Sequence, residues 1–105
     1  MAFDRTVGRY ASFGIVTSLP GEVIDSFWYV IDNYLKGVIP LKSVIQFSIK
    51  NRGGKITLVF SQERYKNVLA VDLSSRFDQF YPSTVLVVDK QGQETITLPD
   101  EVSFI

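Results

Sequence analysis

The 105-residue sequence contains no cysteine and no histidine. Without cysteine, the chain can form neither disulfide bonds nor thiolate metal sites. Without histidine, it lacks the side chain that most often acts as a general base near neutral pH. No phosphate-binding glycine motif is present either. These absences predict a protein that is not an enzyme, that needs no cofactor or metal, and that acts by binding.

Long apolar runs and targeting segments are also lacking. No stretch approaches about 18 consecutive apolar residues, so no membrane-spanning segment is predicted. The first residues, Met1–Arg5, lack the basic region and apolar run of a secretory signal peptide. Together with the missing cysteine, this predicts a cytoplasmic protein that does not bind membranes.

Apolar residues make up 46% of the chain, and eight Phe, five Tyr and one Trp are among them. This content supplies enough apolar area for a hydrophobic core without covalent staples. The length fits one domain, so residues 1–105 are predicted to fold as a single unit.

The clearest helix is predicted over residues 22–36, with Ser18 as its cap and Gly37 as its end. Its apolar stripe consists of Val23, Ile24, Phe27, Trp28, Val30, Ile31, Tyr34 and Leu35. A stripe this wide requires burial, most simply against a sheet.

Strands are predicted wherever β-branched and aromatic residues alternate with polar ones, at residues 9–17, 44–50, 56–60, 67–73, 84–89 and 94–98. Gly14, inside the first of them, indicates a bulge or a close backbone approach. The expected fold class is therefore α+β, with a mostly antiparallel sheet of five to six strands and one main helix packed on one face.

Two hairpins follow from the turn residues. A first hairpin centred on Arg52-Gly53 sets Ile49 opposite Ile56 and leaves a largely polar second sheet face. A second hairpin around Gln91-Gly92 sets Asp89 opposite Glu94, which is an unfavourable pair of like charges. The apolar C-terminal residues 102–105 are expected to dock on the domain or on a second copy.

Positive charge is concentrated in the middle of a chain whose total charge is zero. Residues 33–66 carry seven Lys or Arg and one acidic residue. Lys50, Arg52 and Lys55 cluster at the tip of the first hairpin, and Arg64 with Tyr65 follows its second strand. This basic hairpin, residues 50–66, could bind nucleic acid or an acidic protein surface. Alternatively, its charges protect an edge hairpin from aggregation.

The polar face of the predicted helix carries the remaining candidate residues. Tyr29 projects from it, and exposed tyrosines are common interface anchors. Glu22, Asp25 and Asp32 share this face and could hold a cation weakly, but a solvated helix face with an Asp32–Lys36 pair explains them better.

Several sequence blocks resemble, in order, those of a family of small proteins of unknown function, domain-of-unknown-function family 960. The blocks are Arg9–Ile15, Leu19-Pro20, Phe27–Asp32, Val44–Ile49 and Ser61–Tyr65. The resemblance covers residues 1–66 and makes residues 67–105 a C-terminal extension. It implies a bacterial protein, of Gram-positive species and their mobile elements, and implies no activity.

The sequence therefore predicts a non-enzymatic protein-binding or regulatory protein whose partner is another protein, a second copy of the chain included. The candidate binding surface comprises Tyr29, Lys50, Arg52, Lys55, Arg64 and Tyr65. Nucleic-acid binding through the basic hairpin is the alternative. A small-molecule site or an unrecognised hydrolase needs a pocket, such as an apolar cavity beside Trp28.

Overall fold

The computed structural model describes residues 2–63 and 65–104, and it describes residues 65–68, 103 and 104 by their backbone alone. One six-stranded sheet contains β1 (Gly8–Ala11), β2 (Val44–Arg52), β3 (Lys55–Gln62), β4 (Tyr65–Arg76), β5 (Thr84–Lys90) and β6 (Gln93–Thr97). Their order across the sheet is β1-β6-β5-β2-β3-β4. The helices are α1 (Phe13–Ser18), α2 (Gly21–Val30), a π-helical turn (Ile31–Leu35) and a 3₁₀ helix (Pro99–Phe104).

The predicted α+β class, with six strands and one main helix, is confirmed. The sheet is mixed, however, rather than mostly antiparallel as expected. The N-terminal strand β1 pairs in parallel with β6 near the other end of the chain, while the remaining neighbours are antiparallel. Local pattern could not reveal this, because the β1–β6 pairing joins residues more than 80 positions apart.

The core lies between α2 and one face of the sheet. The helix contributes buried side chains such as Phe27 and Ile31, and the central strands contribute Phe47 and Phe60. The Phe27 and Phe47 rings meet edge to face with centroids 5.2 Å apart, a favourable aromatic geometry. The opposite sheet face carries residues such as Gln46 and Ser48, which are half-buried.

The predicted strand over residues 9–17 is wrong beyond Ala11, because the chain turns there into α1. The Ser12 hydroxyl caps this helix by accepting a bond from the Ile15 amide at 3.3 Å. Glu101, from the 3₁₀ helix, accepts from the Ser12 hydroxyl at 2.6 Å and from the Gly14 amide at 3.0 Å. These bonds, with the one from Ser12 foremost, hold the pKa of Glu101 below its usual range.

Gly14 makes the close approach that its position predicted. A Cβ atom there would lie 2.7 Å from both a Glu101 carboxylate oxygen and a Leu98 methyl carbon. The glycine therefore lets the first turn of α1 dock on the C-terminal segment.

The main helix extends from Gly21, through α2 and the π-helical turn, to Leu35, which agrees with the predicted span of 22–36 within one residue. Its N-cap position is Pro20, without a side-chain cap, so the prediction of Ser18 as the cap is wrong. In the π-helical turn, the Lys36 amide donates to the Ile31 carbonyl, five residues earlier. The wider turn changes which side chains share a face.

The first hairpin forms where it was predicted, but each residue of β2 pairs with the β3 residue two positions beyond the predicted partner. Ile49 lies opposite Leu58, and Phe47 lies opposite Phe60. The turn is Gly53-Gly54, with φ angles of 61° and 87°, which is a type I′ geometry that favours glycine. Because the shift is by two residues, the apolar side chains keep the core face.

The second hairpin has the predicted register, including Asp89 opposite Glu94. Each carboxylate has its own donors, which explains why the pair is tolerated. Asp89 accepts from the backbone amides of Phe3 and Gly92, both at 2.8 Å. Glu94 is fully buried and bonds to two side chains of the N-terminal segment.

The two ends of the described chain both contact β5. Phe3 is fully buried. Val102 is half-buried on the 3₁₀ helix, which lies against β5. The rest of the predicted docking tail, the Phe104 side chain and Ile105, lies outside what the structure describes. Among the described residues, no helix is both long and apolar enough to span a bilayer.

Candidate functional site

The three predicted cations of the first hairpin lie together on the open sheet face. Arg52 pairs with Lys55 across the turn, and Lys50 pairs with Thr57. Paired residues of antiparallel strands share a face, so all three cations project to the same side. All three are exposed, and the Arg52 side chain is 75% exposed.

Strand β4 adds an anion and a cation to this group that sequence reasoning did not place there. Asp72 accepts bonds from the Thr57 hydroxyl at 2.6 Å and from Arg52 at 3.3 Å. Arg76 lies opposite Lys55. The exposed Arg52–Asp72 pair contributes less than about 1 kcal/mol to stability. We call Lys50, Arg52, Lys55 and Arg76 the basic corner, and Asp72 neutralises one of its charges.

The other two predicted hairpin residues are not brought to this corner. Arg64 lies outside the described residues, and Tyr65 is described by its backbone alone. The Tyr65 backbone pairs with Gln62, which is at the opposite end of β3 from Lys55.

Tyr29 lies on the outer face of α2 and is 57% exposed, as predicted. Its ring meets that of Tyr34 edge to face, with centroids 6.1 Å apart. A regular α-helix would separate residues five positions apart, and the π-helical turn brings these two onto one face. Tyr34 is 42% exposed instead of joining the buried stripe. The sequence offered no signal for this tyrosine pair.

Arg9 joins β1 to the main helix. Its guanidinium donates to Glu94 at 3.0 Å and forms a two-pronged pair with Asp32, including one bond of 2.8 Å. Its carbon Cζ also lies 4.7 Å from the ring centroid of Trp28, a cation–π contact. We call Arg9, Trp28, Asp32 and Glu94 the Arg9 cluster.

In the Arg9 cluster, the guanidinium of Arg9 is paired with the carboxylates of both Asp32 and Glu94. The hydrogen bond from Arg9 is the largest cause that lowers the pKa of Asp32, and Lys36 adds to it from 3.7 Å. The same bond, which Arg9 donates to Asp32, is the largest cause that raises the pKa of Arg9. Glu94 also accepts from the Thr6 hydroxyl at 2.8 Å. These contacts connect β1 to α2 through Trp28 and to the π-helical turn through Asp32.

The segment that contains β1 and the start of α1 carries several exposed apolar side chains. Four large apolar side chains lie within ten consecutive residues and are strongly exposed: Val7 (70%), Tyr10 (52%), Phe13 (82%) and Val16 (58%). We call them the β1 edge surface, because β1 is the first strand of the sheet. Sequence reasoning missed this surface because it placed Phe13 and Val16 in a strand instead of on α1.

The sequence also raised a cation site on the helix face and an apolar pocket beside Trp28. Among the described residues, no group of three acidic side chains is arranged to hold a metal ion. Asp32 is instead engaged by Arg9. A cavity of about 350 Å³ lies at the turn after the main helix, where residues 36–41 line it with Ala2 and Asp4. It is not the predicted apolar cavity beside Trp28.

The family resemblance is confirmed by comparison with known proteins. The model of a family described as "Staphylococcal protein of unknown function (DUF960)" matches residues 8–101. The chain belongs to this DUF960 family. The match continues past residue 66 and includes β4, β5 and β6, so the prediction that an extension beyond the family begins at residue 67 is wrong.

A solved crystal structure supports the same architecture. The crystal structure of a protein of unknown function from Enterococcus faecalis is similar, with 46% sequence identity and a TM-score of 0.89. The alignment covers 95% of this chain and 92% of the Enterococcus chain. No curated protein matches the sequence. Family and neighbour therefore establish the fold, and the function has to be argued from the surfaces.

Proposed function

We propose that the chain is a non-enzymatic protein-binding protein, that its partners include a second copy of itself, and that the β1 edge surface makes the contact. The observation that carries this proposal is the exposure of four large apolar side chains within residues 7–16. Singly exposed apolar residues are common on protein surfaces. A concentrated group of them, containing a Phe and a Tyr, is typical of an interface.

The size of the surface indicates how much of the molecule takes part. A whole aromatic side chain buries about 150–250 Å², so the exposed parts of the four side chains supply roughly 400–500 Å². A stable complex buries about 800 Å² on each partner. The interface therefore needs neighbouring residues, and Tyr29 with Tyr34 offers exposed aromatic area that Arg9 and Asp32 connect to β1.

The two elements that carry the β1 edge surface, β1 and α1, are each tied to other parts of the fold, and this favours binding. The Arg9 cluster ties β1 to α2, and Glu101 ties the start of α1 to the 3₁₀ helix. Side chains presented by such braced elements lose little additional freedom when a partner binds. This bracing accounts for the buried charge of Glu94 without assigning it a chemical reaction.

Self-association is tested by sedimentation equilibrium across a concentration series. The average mass of the wild type is expected to rise above that of the 11.9 kDa chain. Phe13→Ser should lower this association about tenfold or more, because it removes the most exposed side chain of the β1 edge surface. Phe80→Ser is the matched control, since Phe80 is 83% exposed but lies outside that surface.

Two results would count against this proposal. If the wild type stays monomeric up to millimolar concentration, the part of the proposal that concerns self-association is excluded. If Phe13→Ser and Phe80→Ser weaken the association equally, the β1 edge surface is not the contact between the copies.

The alternative function, nucleic-acid binding through hairpin 50–66, is supported by the basic corner. Four exposed cations on one sheet face can contact phosphates. Recognition of unpaired bases also uses aromatic rings for stacking. Phe77 directly follows Arg76, and its amide donates to the carbonyl of Gly54 in the hairpin turn at 2.9 Å, while Phe80 in the same segment is 83% exposed. Nucleic-acid binding is therefore the second candidate function, with a test of its own.

The alternative has a direct test in the salt dependence of oligonucleotide binding. If it holds, affinity for single-stranded DNA or RNA falls steeply with salt and is lost when Lys50, Arg52 and Lys55 are all changed to Glu. Undetectable affinity at low salt, or affinity that survives the triple change, would exclude it.

A further inference from the structure

Strand β4 leaves a long edge of the sheet open. It is the last strand in the order and extends over 12 residues, whereas the opposite edge strand β1 has four. An edge strand presents a row of backbone N–H and C=O groups without strand partners, and such a row can pair with another extended chain. No proline, which would block pairing, occurs in β4.

The two faces of β4 differ in character. Leu69 and Val71 pair with Phe60 and Leu58, so they lie on the core face, and both are half-buried. Ala70 and Asp72 pair with Val59 and Thr57 on the open face, and both are exposed. A strand added beside β4 would thus meet apolar side chains on one face and polar ones on the other.

One member of the basic corner, Arg76, lies at the end of this edge strand, and the other three lie on the two strands next to it, Lys55 on β3 and Lys50 and Arg52 on β2. Arg76 is part of β4 itself, and its neighbour across the ladder is Lys55. Arg52 is close enough to bond Asp72. Even with Asp72 present, the four cations of the basic corner outnumber the anion beside them. The charge therefore favours an acidic occupant.

From this combination we infer that the outer edge of β4 binds an extended segment of a partner protein in which apolar and acidic residues alternate. The segment adds to the sheet as a seventh strand through backbone hydrogen bonds. Its apolar side chains cover Leu69 and Val71, and its carboxylates lie near Arg76 on the open face. This site is at the opposite edge of the sheet from the β1 edge surface and does not depend on it.

The test uses three synthetic peptides of about ten residues, each with the full chain. One alternates Val and Glu, one alternates Val and Lys, and one has the Val/Glu composition with all valines at one end. We expect the alternating Val/Glu peptide to bind about tenfold or more tightly than the other two, because like charges and mismatched faces oppose pairing. Amide exchange should slow in residues 69–76.

A charge reversal makes the test specific for the corner. Arg76→Glu should shift the preference toward the Val/Lys peptide, whereas Arg5→Glu should leave the preference unchanged. Arg5 is an exposed cation at the other edge of the sheet, near Gly92, and its reversal changes the net charge equally. Phe13→Ser should retain peptide binding, which separates this site from the β1 edge surface.

Three outcomes would overturn the inference. The first is no binding of the alternating Val/Glu peptide at millimolar concentration. The second is binding that protects amides elsewhere and leaves those of residues 69–76 unchanged. The third is tighter binding of a single-stranded oligonucleotide that has the same charge as the Val/Glu peptide and displaces it. That result would assign the basic corner to nucleic acid.

Discussion

Arg9 is the residue on which the position of β1 depends. Its guanidinium connects the fully buried Glu94 with the partly exposed Asp32 and also stacks on Trp28. A buried carboxylate is tolerated when its charge is paired and hydrogen-bonded, and it becomes costly when the partner is removed. The sequence showed Arg9 only as one residue of an aromatic strand, because its partners lie 23 and 85 residues away.

Replacing Arg9 by Met should lower the free energy of unfolding by about 3 kcal/mol, since it leaves Glu94 buried and unpaired. Urea denaturation at neutral pH measures this change. The double variant Arg9→Met with Glu94→Gln should recover a substantial part of the loss, because the buried charge is then absent. Strictly additive effects of the two substitutions would contradict this account of the pair.

Asp32 should make stability depend on pH. Arg9 lowers its pKa in the folded state, so its contribution is present above the unfolded value of about 3.9 and is lost as pH falls through the folded value. The difference in urea midpoint between the wild type and Asp32→Asn should therefore be largest near neutral pH and shrink below pH of about 4. A difference that stays constant down to acid pH would show that the ion pair does not stabilise the fold.

At the scale of elements, the chain's periodicity predicted those parts that are determined locally. The main helix and both hairpins follow from apolar spacing and turn residues. The first hairpin register was displaced because Gly53-Gly54, and not Arg52-Gly53, occupies the two turn positions with positive φ. Residues 12–17 were assigned to a strand because their helix is held at its start by Glu101, a contact that no local pattern contains.

The turn of the first hairpin allows a matched pair of substitutions. Gly54 has φ of 87°, and a Cβ atom there would have no neighbouring atom within 4 Å, so Gly54→Ala should cost about 1 kcal/mol through backbone strain alone. Gly53→Asn should cost little, because Asn-Gly is a preferred type I′ sequence. Thermal unfolding of the two variants compares them directly. An equal loss in both would argue against the type I′ turn.

At the scale of the whole molecule, the sheet has two different edges. The short edge β1 is braced by the Arg9 cluster and bordered by exposed apolar residues, while the long edge β4 is open and has cations at one end. The amino-acid pattern predicted the cations of hairpin 50–55 but could not show that β4 supplies Asp72 and Arg76 beside them. It also could not show the β1 edge surface, since that requires both the parallel pairing with β6 and the turn into α1.

The central claim is that the β1 edge surface binds protein, and site-specific photo-crosslinking in the bacterial host tests it most directly. A photoreactive phenylalanine analogue is placed at position 13 in one variant and at position 80 in another, since both sites are about equally exposed. The account predicts nuclease-resistant adducts with polypeptide, with the chain itself among them, at position 13 and not at position 80. Absence of adducts at position 13, or equal adducts at both positions, would contradict it.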